Sequence, residues 1–372
     1  MDLTNLLTEL SKGFAAFTWQ NGVMILVGLI LIYLAIVKEY EPVLLLPIGF
    51  GCLMANLGMS NEVGFMKVIY DAGIRTELFP LLIFIGVGAM IDFSPLLSQP
   101  STVLLGAAGQ FGIYATLLLA LALGFPLNQA ASIGVIGAID GPTAIFVGTK
   151  LAPEIVAPIA VAAYSYMSLI PIIQPPIMKL MTTRKERLIR MEYSPKPVSR
   201  LTLIIFPILV TLLVALVAPD AAPLMAALML GNLLREALVV DRLSKMVQNE
   251  LINIATLFLG LAIGSTMTAA SFLNWSTLAI LGLGLLAFVI DTVAGLLFGK
   301  LMAVITHGKV NPLIGACGIS AFPMAGRLSA KMALDEDPSN FILMHAMGSN
   351  TAGQLGSVIA GGLLLALVTG LH

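Results

Sequence analysis

The heptapeptide Gly137-Ala138-Ile139-Asp140-Gly141-Pro142-Thr143 interrupts a long apolar run, and the rest of the chain is organised around it. Glycine frees the backbone and proline cannot donate to a helical ladder, so we expect a helix to break beside Asp140. Broken backbone and a carboxylate are tolerated at membrane depth only inside protein or along a watery cavity. The oxygen atoms gathered there suit an alkali cation or a proton. The alternative is a protonated Asp140 that hydrogen-bonds a neighbouring helix and has no further role.

The composition predicts an all-α polytopic membrane protein. Of the 372 residues, 58% are hydrophobic and only 10% are charged, and the mean hydropathy is +0.99. Apolar runs of about 20 residues recur, and each is long enough to span the hydrocarbon of a bilayer. The net charge of −1 argues against a nucleic acid partner. Cys52 and Cys317 both lie in apolar runs, which indicates buried small residues rather than a disulfide or a metal pair.

The polarity pattern divides the chain into four parts. We expect an interfacial segment at 1–20, a first membrane repeat at 21–180, a linker at 181–200 and a second membrane repeat at 201–372. The linker carries an excess of Lys and Arg over Glu. Basic loops beside membrane spans face the cytoplasm, so we expect the linker on that side.

The two predicted repeats match each other in the same order along the chain. Matches at nearly constant separation are 51–57 with 227–233, 84–88 with 258–262, Asp140 with Ser320, and Gln174 with Gln354. Corresponding places in the halves hold broken segments, at 128–150 and 311–330. Paired broken segments point to the binding site of a transporter, so Asp140 and Ser320 should lie close together. Re-entrant hairpins would make the repeats inverted, which we favour, whereas crossing helices would make them parallel.

The second broken segment offers neutral oxygen ligands and one cation. Asn311, Ser320 and the carbonyls freed around Gly315 could join Asp140 around a hard cation. Arg327 lies where this segment should meet water. Its guanidinium group either binds a substrate carboxylate through two hydrogen bonds or simply reaches water from the end of a helix.

A tyrosine and a second deep carboxylate also carry functional hypotheses. Tyr166 lies in the middle of its apolar segment, which favours a hydrogen bond to the site over the usual interfacial tyrosine. Asp291 is either a second ion or proton site or a helix-to-helix hydrogen bond. We favour the structural role because no Gly-Pro break accompanies Asp291.

Other polar residues are predicted to be structural. Asn56 and Asn232 occupy matching places in the two halves and should tie helices together. Lys331 and the acidic run at 335–337 are expected in a solvated turn.

No motif of a soluble enzyme occurs in the chain. There is no Walker loop, no dinucleotide fingerprint after a strand and no His-Cys-Asp constellation. Any chemistry must therefore take place in the membrane or on a cofactor that a partner carries.

Several stretches resemble the β subunit of the sodium-pumping biotin-dependent decarboxylases. That family includes oxaloacetate, methylmalonyl-CoA and glutaconyl-CoA decarboxylases. The resemblance covers nearly the whole chain from about Asn21 and is carried by the stretches 137–143, 168–176, 311–327 and 345–350. It implies that the chain takes carboxybiotin from a soluble carrier, removes CO₂ and exports Na⁺ with the free energy released.

The resemblance also implies roles for particular residues. Asp140 falls on the intramembrane aspartate of the family and Tyr166 on its functional tyrosine. Arg327 is implied to steer the carboxybiotin. The implied Na⁺ ligands are Asp140, Asn311, Gly315, Ser320 and Tyr166.

Partners and compartment follow from the same resemblance. It implies a biotin carrier protein, a carboxyltransferase α subunit, a small membrane-anchored γ or δ subunit and a homo-oligomer within the complex. It also implies the inner membrane of an anaerobic prokaryote. A stand-alone Na⁺/H⁺ antiporter or Na⁺-coupled carboxylate transporter fits the repeat and Asp140 equally well. The requirement for a biotinylated partner would separate the two.

Overall fold

A computed structural model describes residues 17–39, 41–60, 62, 64–192 and 197–370. Within these ranges the chain forms helices and no strands. Most of the predicted interfacial segment at 1–20 lies outside the described residues. The α-helices are α1 (Trp19–Val37), α2 (Pro42–Asn56), α3 (Gly64–Tyr70), α4 (Leu78–Met90), α5 (Ser94–Ser98), α6 (Thr102–Ala108), α7 (Phe111–Ala122), α8 (Leu127–Gly134), α9 (Gly141–Leu151), α10 (Val156–Met181), α11 (Arg184–Arg187), α12 (Arg200–Val217), α13 (Ala222–Ala237), α14 (Asp241–Met246), α15 (Ile252–Thr266), α16 (Ala269–Phe272), α17 (Trp275–Ile305), α18 (Met324–Glu336) and α19 (Leu343–Thr369).

The helices confirm the predicted all-α polytopic membrane protein. Among the described residues, six helices are long and apolar enough to cross a bilayer, and counting each bent helix pair as one span gives up to eight. One bent pair consists of Gly64–Arg75 and Leu78–Met90, and the other bends by 62° between Met167 and Leu169. A helix satisfies its own backbone hydrogen bonds, which is why apolar runs of this length adopt it in lipid.

Contacts divide the chain into two compact units. The first comprises Met1–Phe79 with Asn253–Ala279, and the second comprises Pro80–Ile252 with Ile280–His372. In the first unit, glycine allows α1 and α2 to approach closely. A Cβ added at Gly28 would lie only 2.9 Å from the carbonyl oxygen of Gly49. The predicted halves at 21–180 and 201–372 follow the sequence match rather than these units, and that division stays a prediction.

The two matched asparagines form corresponding hydrogen bonds, each to a helix end in the other predicted half. The Asn56 amide donates to the carbonyl of Met267, just beyond the end of α15, at 2.8 Å. The Asn232 amide donates to the carbonyl of Ile91, just beyond the end of α4, at 3.0 Å. Since 84–88 of α4 matches 258–262 of α15, each half supplies an amide to the helix end of the other. The predicted helix ties are confirmed, and the reciprocity supports the internal repeat.

The first broken segment is a re-entrant hairpin. It consists of α8, the 3-10 turn Val135–Ala138 and α9. Asn128 at its start donates to the carbonyl of Leu151 at its end (2.9 Å), and the neighbouring Gln129 donates to Glu154 (2.8 Å). The two ends therefore meet on one side, as the hairpin prediction requires.

The second broken segment folds back in the same way. It consists of the 3-10 turn Pro312–Cys317, an irregular stretch and α18. The Ser329 hydroxyl in α18 donates to the carbonyl of Leu313 at the start of the segment, at 3.1 Å. Both broken segments therefore fold back on themselves, and the inverted arrangement of the two repeats stays a prediction.

Candidate functional site

Asp140 caps the second arm of the first hairpin. Ile139 has a φ of +52°, a left-handed conformation that turns the chain before Asp140 and is uncommon for a β-branched residue. The Asp140 carboxylate then accepts the backbone N–H of Thr143 at 3.4 Å and the Thr143 hydroxyl at 2.8 Å. This is the N-cap arrangement that aspartate favours, and it places the negative charge at the start of α9.

Helix α19 completes the surroundings of Asp140. The Gln354 amide donates to Oδ2 of Asp140 at 2.9 Å, and the Ser357 hydroxyl donates to the same oxygen at 2.8 Å. Gln354 and Ser357 are three residues apart and so share one face of α19. Asp140 is only 5% exposed. A buried carboxylate thus meets two hydroxyls and one amide, all of which carry oxygen.

The tip of the second hairpin touches the first beside Asp140. The backbone N–H of Ser320 donates to the carbonyl of Ala138 at 3.2 Å, and the Ser320 hydroxyl donates to the carbonyl of Gly353 at 3.2 Å. The predicted approach of Asp140 and Ser320 is therefore confirmed. The Asp140 site and the second break meet through α19.

Side-chain amides donate to backbone carbonyls of the second broken segment and of α19. Gln110, at the interruption between α6 and α7, donates to the carbonyls of Gly318 (3.1 Å) and Gly353 (3.3 Å). Asn350 donates to Ile319 at 2.7 Å, and Gln174 donates to Ala316 at 2.7 Å. Gln174 belongs to the first half and Gln354 to the second, so these matched glutamines each reach the broken segment of the other half.

Asn311, Gly315 and Tyr166, three of the implied ligands, bond or pack away from Asp140. The Asn311 amide donates to the carbonyls of Arg187 and Ile189 in the linker, at 3.0 and 2.8 Å. Gly315 packs against Gly295 of α17, where a Cβ would strike the backbone. The Tyr166 hydroxyl donates to the carbonyl of Leu281. Their role as Na⁺ ligands stays a prediction.

The aromatic ring next to the first break is that of Tyr164. A Cβ added at Gly141 would collide with this ring, so glycine is required for the close approach. Tyr166, two residues on, instead contacts Gly284 of α17, where a Cβ would lie 2.8 Å from its ring. Residues two apart on a helix point in different directions, so only one of the two tyrosines could face Asp140.

Asp291 lies behind the first break. It is buried in α17, and its carboxylate accepts the backbone N–H of Gly112 near the start of α7. A Cβ at Gly137 would lie 3.1 Å from Oδ2 of Asp291. The first turn of a helix has N–H groups without helical partners, so Asp291 acts as a cap supplied by another helix. This contact agrees with the favoured helix-to-helix hydrogen bond.

The acidic run at 335–337 is ordered rather than a solvated turn, which corrects the sequence prediction. Helix α18 continues to Glu336, whose carboxylate pairs with Arg187 of the linker at 2.7 Å, while Asp337 pairs with Arg190 at 2.7 Å. The hydrogen bond from Arg187 holds the pKa of Glu336 below its ordinary value. The backbone N–H of Ser339, followed by Arg190, does the same for the pKa of Asp337. The basic linker supplied the partners that the local sequence could not reveal.

Sequence reasoning missed Thr143, Gln354 and Ser357 as partners of Asp140. The position of Thr143, three residues after an N-capping aspartate, was a usable signal. The match of Gln354 with Gln174 was another, whereas Ser357 left no signal. Among the described residues no group of three or more His, Cys, Asp or Glu could hold a metal ion. The site therefore offers a single carboxylate with neutral oxygen neighbours, which suits a monovalent cation or a proton better than a transition metal.

Two re-entrant hairpins that meet beside a buried carboxylate define the architecture of an ion-coupled membrane transporter. The model of the family described as Na⁺-transporting oxaloacetate decarboxylase beta subunit matches residues 20–368. The chain therefore belongs to this family, as the sequence motifs indicated.

Curated relatives cover almost the whole chain. The methylmalonyl-CoA decarboxylase subunit beta of Veillonella parvula is 54% identical, with 96% of each chain covered. The glutaconyl-CoA decarboxylase subunit beta of Acidaminococcus fermentans is 51% identical, again with 96% of each chain covered. The oxaloacetate decarboxylase beta chain of Klebsiella pneumoniae is 47% identical, covering 94% of this chain and 95% of the relative.

Proposed function

We propose that this chain decarboxylates carboxybiotin held on a partner carrier and couples the reaction to Na⁺ export. The observation that carries the proposal is the buried Asp140, whose Oδ2 receives three side-chain donors where the two hairpins meet. The relatives bear the names of three different decarboxylases. Since this chain is similar to all three at 47–54% identity, the substrate acid is selected elsewhere and the shared step is decarboxylation with Na⁺ transport.

Asp140 and its three side-chain neighbours form the Na⁺ site of this proposal. The hydroxyls of Thr143 and Ser357 turn their lone pairs to the ion, and the Gln354 amide rotates to present its oxygen. A hard cation prefers such oxygen ligands. The Ser320 hydroxyl, 3.2 Å from the carbonyl of Gly353, is the ligand that the second hairpin contributes. Asn311, Gly315 and Tyr166 act through the position of the hairpins, since their described contacts lie on other groups.

Proton exchange at Asp140 couples the reaction to the ion. In decarboxylation the bond between the ureido nitrogen and the carboxylate carbon breaks, CO₂ leaves, and the nitrogen keeps the electron pair and takes up a proton. Na⁺ and a proton compete for the single negative charge of Asp140. Na⁺ displaces the proton from Asp140, and this released proton balances the one that the ureido nitrogen takes up. Na⁺ then leaves to the outside, and a proton from the outside reloads Asp140.

The remaining parts of the proposal concern the assembly. The carrier is a biotinylated protein loaded by a carboxyltransferase α subunit, and a small membrane-anchored γ or δ subunit and further copies of this chain complete the complex. The basic linker faces the cytoplasm of a prokaryote, with the chain in the inner membrane. Arg327 is exposed on α18 and draws the anionic carboxybiotin towards this side.

The deciding experiment measures CO₂ release from the carboxybiotinylated carrier by the purified complex in liposomes, with and without Na⁺. We expect release that rises with Na⁺ and is lost in Asp140→Asn, while the variant still inserts. Asp241→Asn is the matched control, since Asp241 is exposed and pairs with Lys245. Continued pumping by Asp140→Asn would refute the role of Asp140. Absence of release, with Na⁺ moving against protons, would instead establish a stand-alone antiporter.

A further inference from the structure

A groove opens between the C-terminal half of α10 and α18. It encloses about 430 Å³, within the range of small-molecule sites. Pro171, Pro175 and Lys179 line one side at four-residue spacing, which places them on one face of α10. Leu328, Lys331 and Asp335 belong to the opposite side. We call this the lysine groove.

The cations of the lysine groove are free to bind an anion. Lys179 and Lys331 are exposed, and neither side chain forms an ion pair or hydrogen bond with any part of the chain that the structure describes. Arg327, one turn before Lys331 on α18, is likewise exposed and without an acidic partner in that part. Glu336 at the rim is already engaged by Arg184 and Arg187 of the linker. Asp335 is thus the one acidic lining residue not held by a cation, against two free lining lysines, with Arg327 nearby on α18.

The lining of the groove combines apolar side chains with two prolines of α10. The rings of Pro171 and Pro175 and the side chain of Leu328 supply the apolar part. Pro175 has no N–H, so the carbonyl of Pro171 cannot receive the usual helical hydrogen bond. A carbonyl without its helical donor is able to accept a hydrogen bond from a bound N–H group. The groove therefore fits a flat ring that carries one N–H donor and one carboxylate.

One residue of the groove also packs towards the hairpin tips. Leu328 lines it and also packs against a buried cluster that contains Ile139 and Ile319. These two residues directly precede Asp140 and Ser320 in the sequence. This buried apolar cluster therefore connects the groove with the residues that precede Asp140 and Ser320.

We propose that the lysine groove seats the N-carboxylated ureido ring of carboxybiotin, with Lys179 and Lys331 paired to its carboxylate. This inference rests on the proposed function and names the seat of its substrate. The remaining ureido N–H donates to the carbonyl of Pro171, and Leu328 covers the ring. Movement of the carboxylate from the lysines onto the apolar side chains removes its hydration, which favours loss of CO₂.

Neutralising the lysines tests the seat. The assay is the initial rate of CO₂ release by the whole complex against the concentration of carboxybiotinylated carrier. In Lys179→Gln and Lys331→Gln we expect the half-saturating carrier concentration to rise about two- to sixfold each, the usual worth of an exposed ion pair. The Na⁺ concentration for half-maximal rate should stay the same. Lys245→Gln is the control, because Lys245 is an exposed lysine paired with Asp241 and does not line the groove.

Asp335→Asn supplies a test of opposite sign. Removing this negative charge should lower the half-saturating carrier concentration, which a merely structural role for α18 would not do. An unchanged or raised value, or equal effects in Lys245→Gln, would overturn the seat. If the wild-type complex released no CO₂ from the loaded carrier, the proposed function would fail as a whole. If the wild-type complex released CO₂ from the loaded carrier and the lysine variants behaved like wild type, only the assignment of the carboxybiotin seat to the lysine groove would be refuted.

Cysteine labelling gives a readout independent of turnover. Both native cysteines, Cys52 and Cys317, are buried, so a cysteine at half-buried Leu328 is the accessible target. We expect the loaded carrier to slow N-ethylmaleimide labelling of Leu328→Cys, with no such protection of Lys245→Cys. Equal labelling of Leu328→Cys with and without the loaded carrier would contradict the seat.

Discussion

Replacing Ser357 with alanine should weaken Na⁺ activation of the decarboxylase without disturbing the fold. The Ser357 hydroxyl lies 2.8 Å from Oδ2 of Asp140 and 2.9 Å from the carbonyl of Gln354. The substitution removes one oxygen atom and leaves the helix backbone unchanged. Alanine is also the better helix former, so α19 itself should not be weakened.

The size of the effect follows from the partner of the hydroxyl. A hydrogen bond to a charged group contributes about 1.5–3 kcal/mol. The ion-free carboxylate of Asp140 loses this donor too, so part of the loss cancels between the ion-free and the Na⁺-bound site. We expect about 1–2 kcal/mol of weaker Na⁺ binding, which is roughly five- to thirtyfold in the Na⁺ concentration for half-maximal rate.

The assay is the Na⁺ dependence of CO₂ release by the solubilised complex, together with Na⁺ uptake in liposomes. Ser349→Ala is the matched control, because Ser349 is also buried in α19 and its hydroxyl has no hydrogen bond among the described residues. A shift of less than twofold in Ser357→Ala would refute the assignment of Ser357 to the ion site. The same shift in both variants would show that the effect is one of helix packing.

Further predictions concern the repeat, the linker and the second buried carboxylate. Asn56→Ala and Asn232→Ala should each lower the stability of the solubilised protein by about 0.5–2 kcal/mol, measured as thermal unfolding; a loss in only one would contradict the reciprocal roles. The pKa values of Glu336 and Asp337 are lowered in the folded protein, so their contribution to linker docking should be present at neutral pH and be lost as the pH falls through the lowered pKa values. Hydrogen exchange of the linker should then rise on acidification, and Glu336→Gln should raise it already at neutral pH. Asp291→Asn should keep stability and Na⁺ transport near wild type because the amide oxygen still accepts the backbone N–H, whereas Asp291→Leu should destabilise by about 1–3 kcal/mol; loss of transport in Asp291→Asn would make Asp291 a second ion or proton site.

The local chemistry of the broken segments was readable from the sequence. Asp140-Gly141-Pro142 announces a helix break beside a carboxylate, because glycine and proline act on the backbone within one turn. The match between the halves also predicted the approach of Asp140 and Ser320, since related segments adopt related places. The hairpin geometry was only one of two alternatives, and contacts between the ends of each segment decided it.

The ligand set was less accessible because it depends on distant contacts. Gln354 and Ser357 are separated from Asp140 by 214 and 217 residues, and no pattern in either segment gives their mutual rotation. Asn311 shows the converse, since its family spacing suggested an ion ligand while its amide bonds to the linker. Glu336 looked like part of a solvated turn because its partner Arg187 lies far away in sequence.

By itself the sequence determined the class of protein, the two helix breaks and the carboxylate at the first of them. The length of the apolar runs, glycine, proline and charge all act locally on the backbone. Only the tertiary structure decided which hydroxyls and amides meet Asp140, which tyrosine lies beside the break and where the free lysines form a groove. Those features depend on how helices distant in sequence are rotated and docked against one another, and side-chain packing across the whole fold sets that rotation.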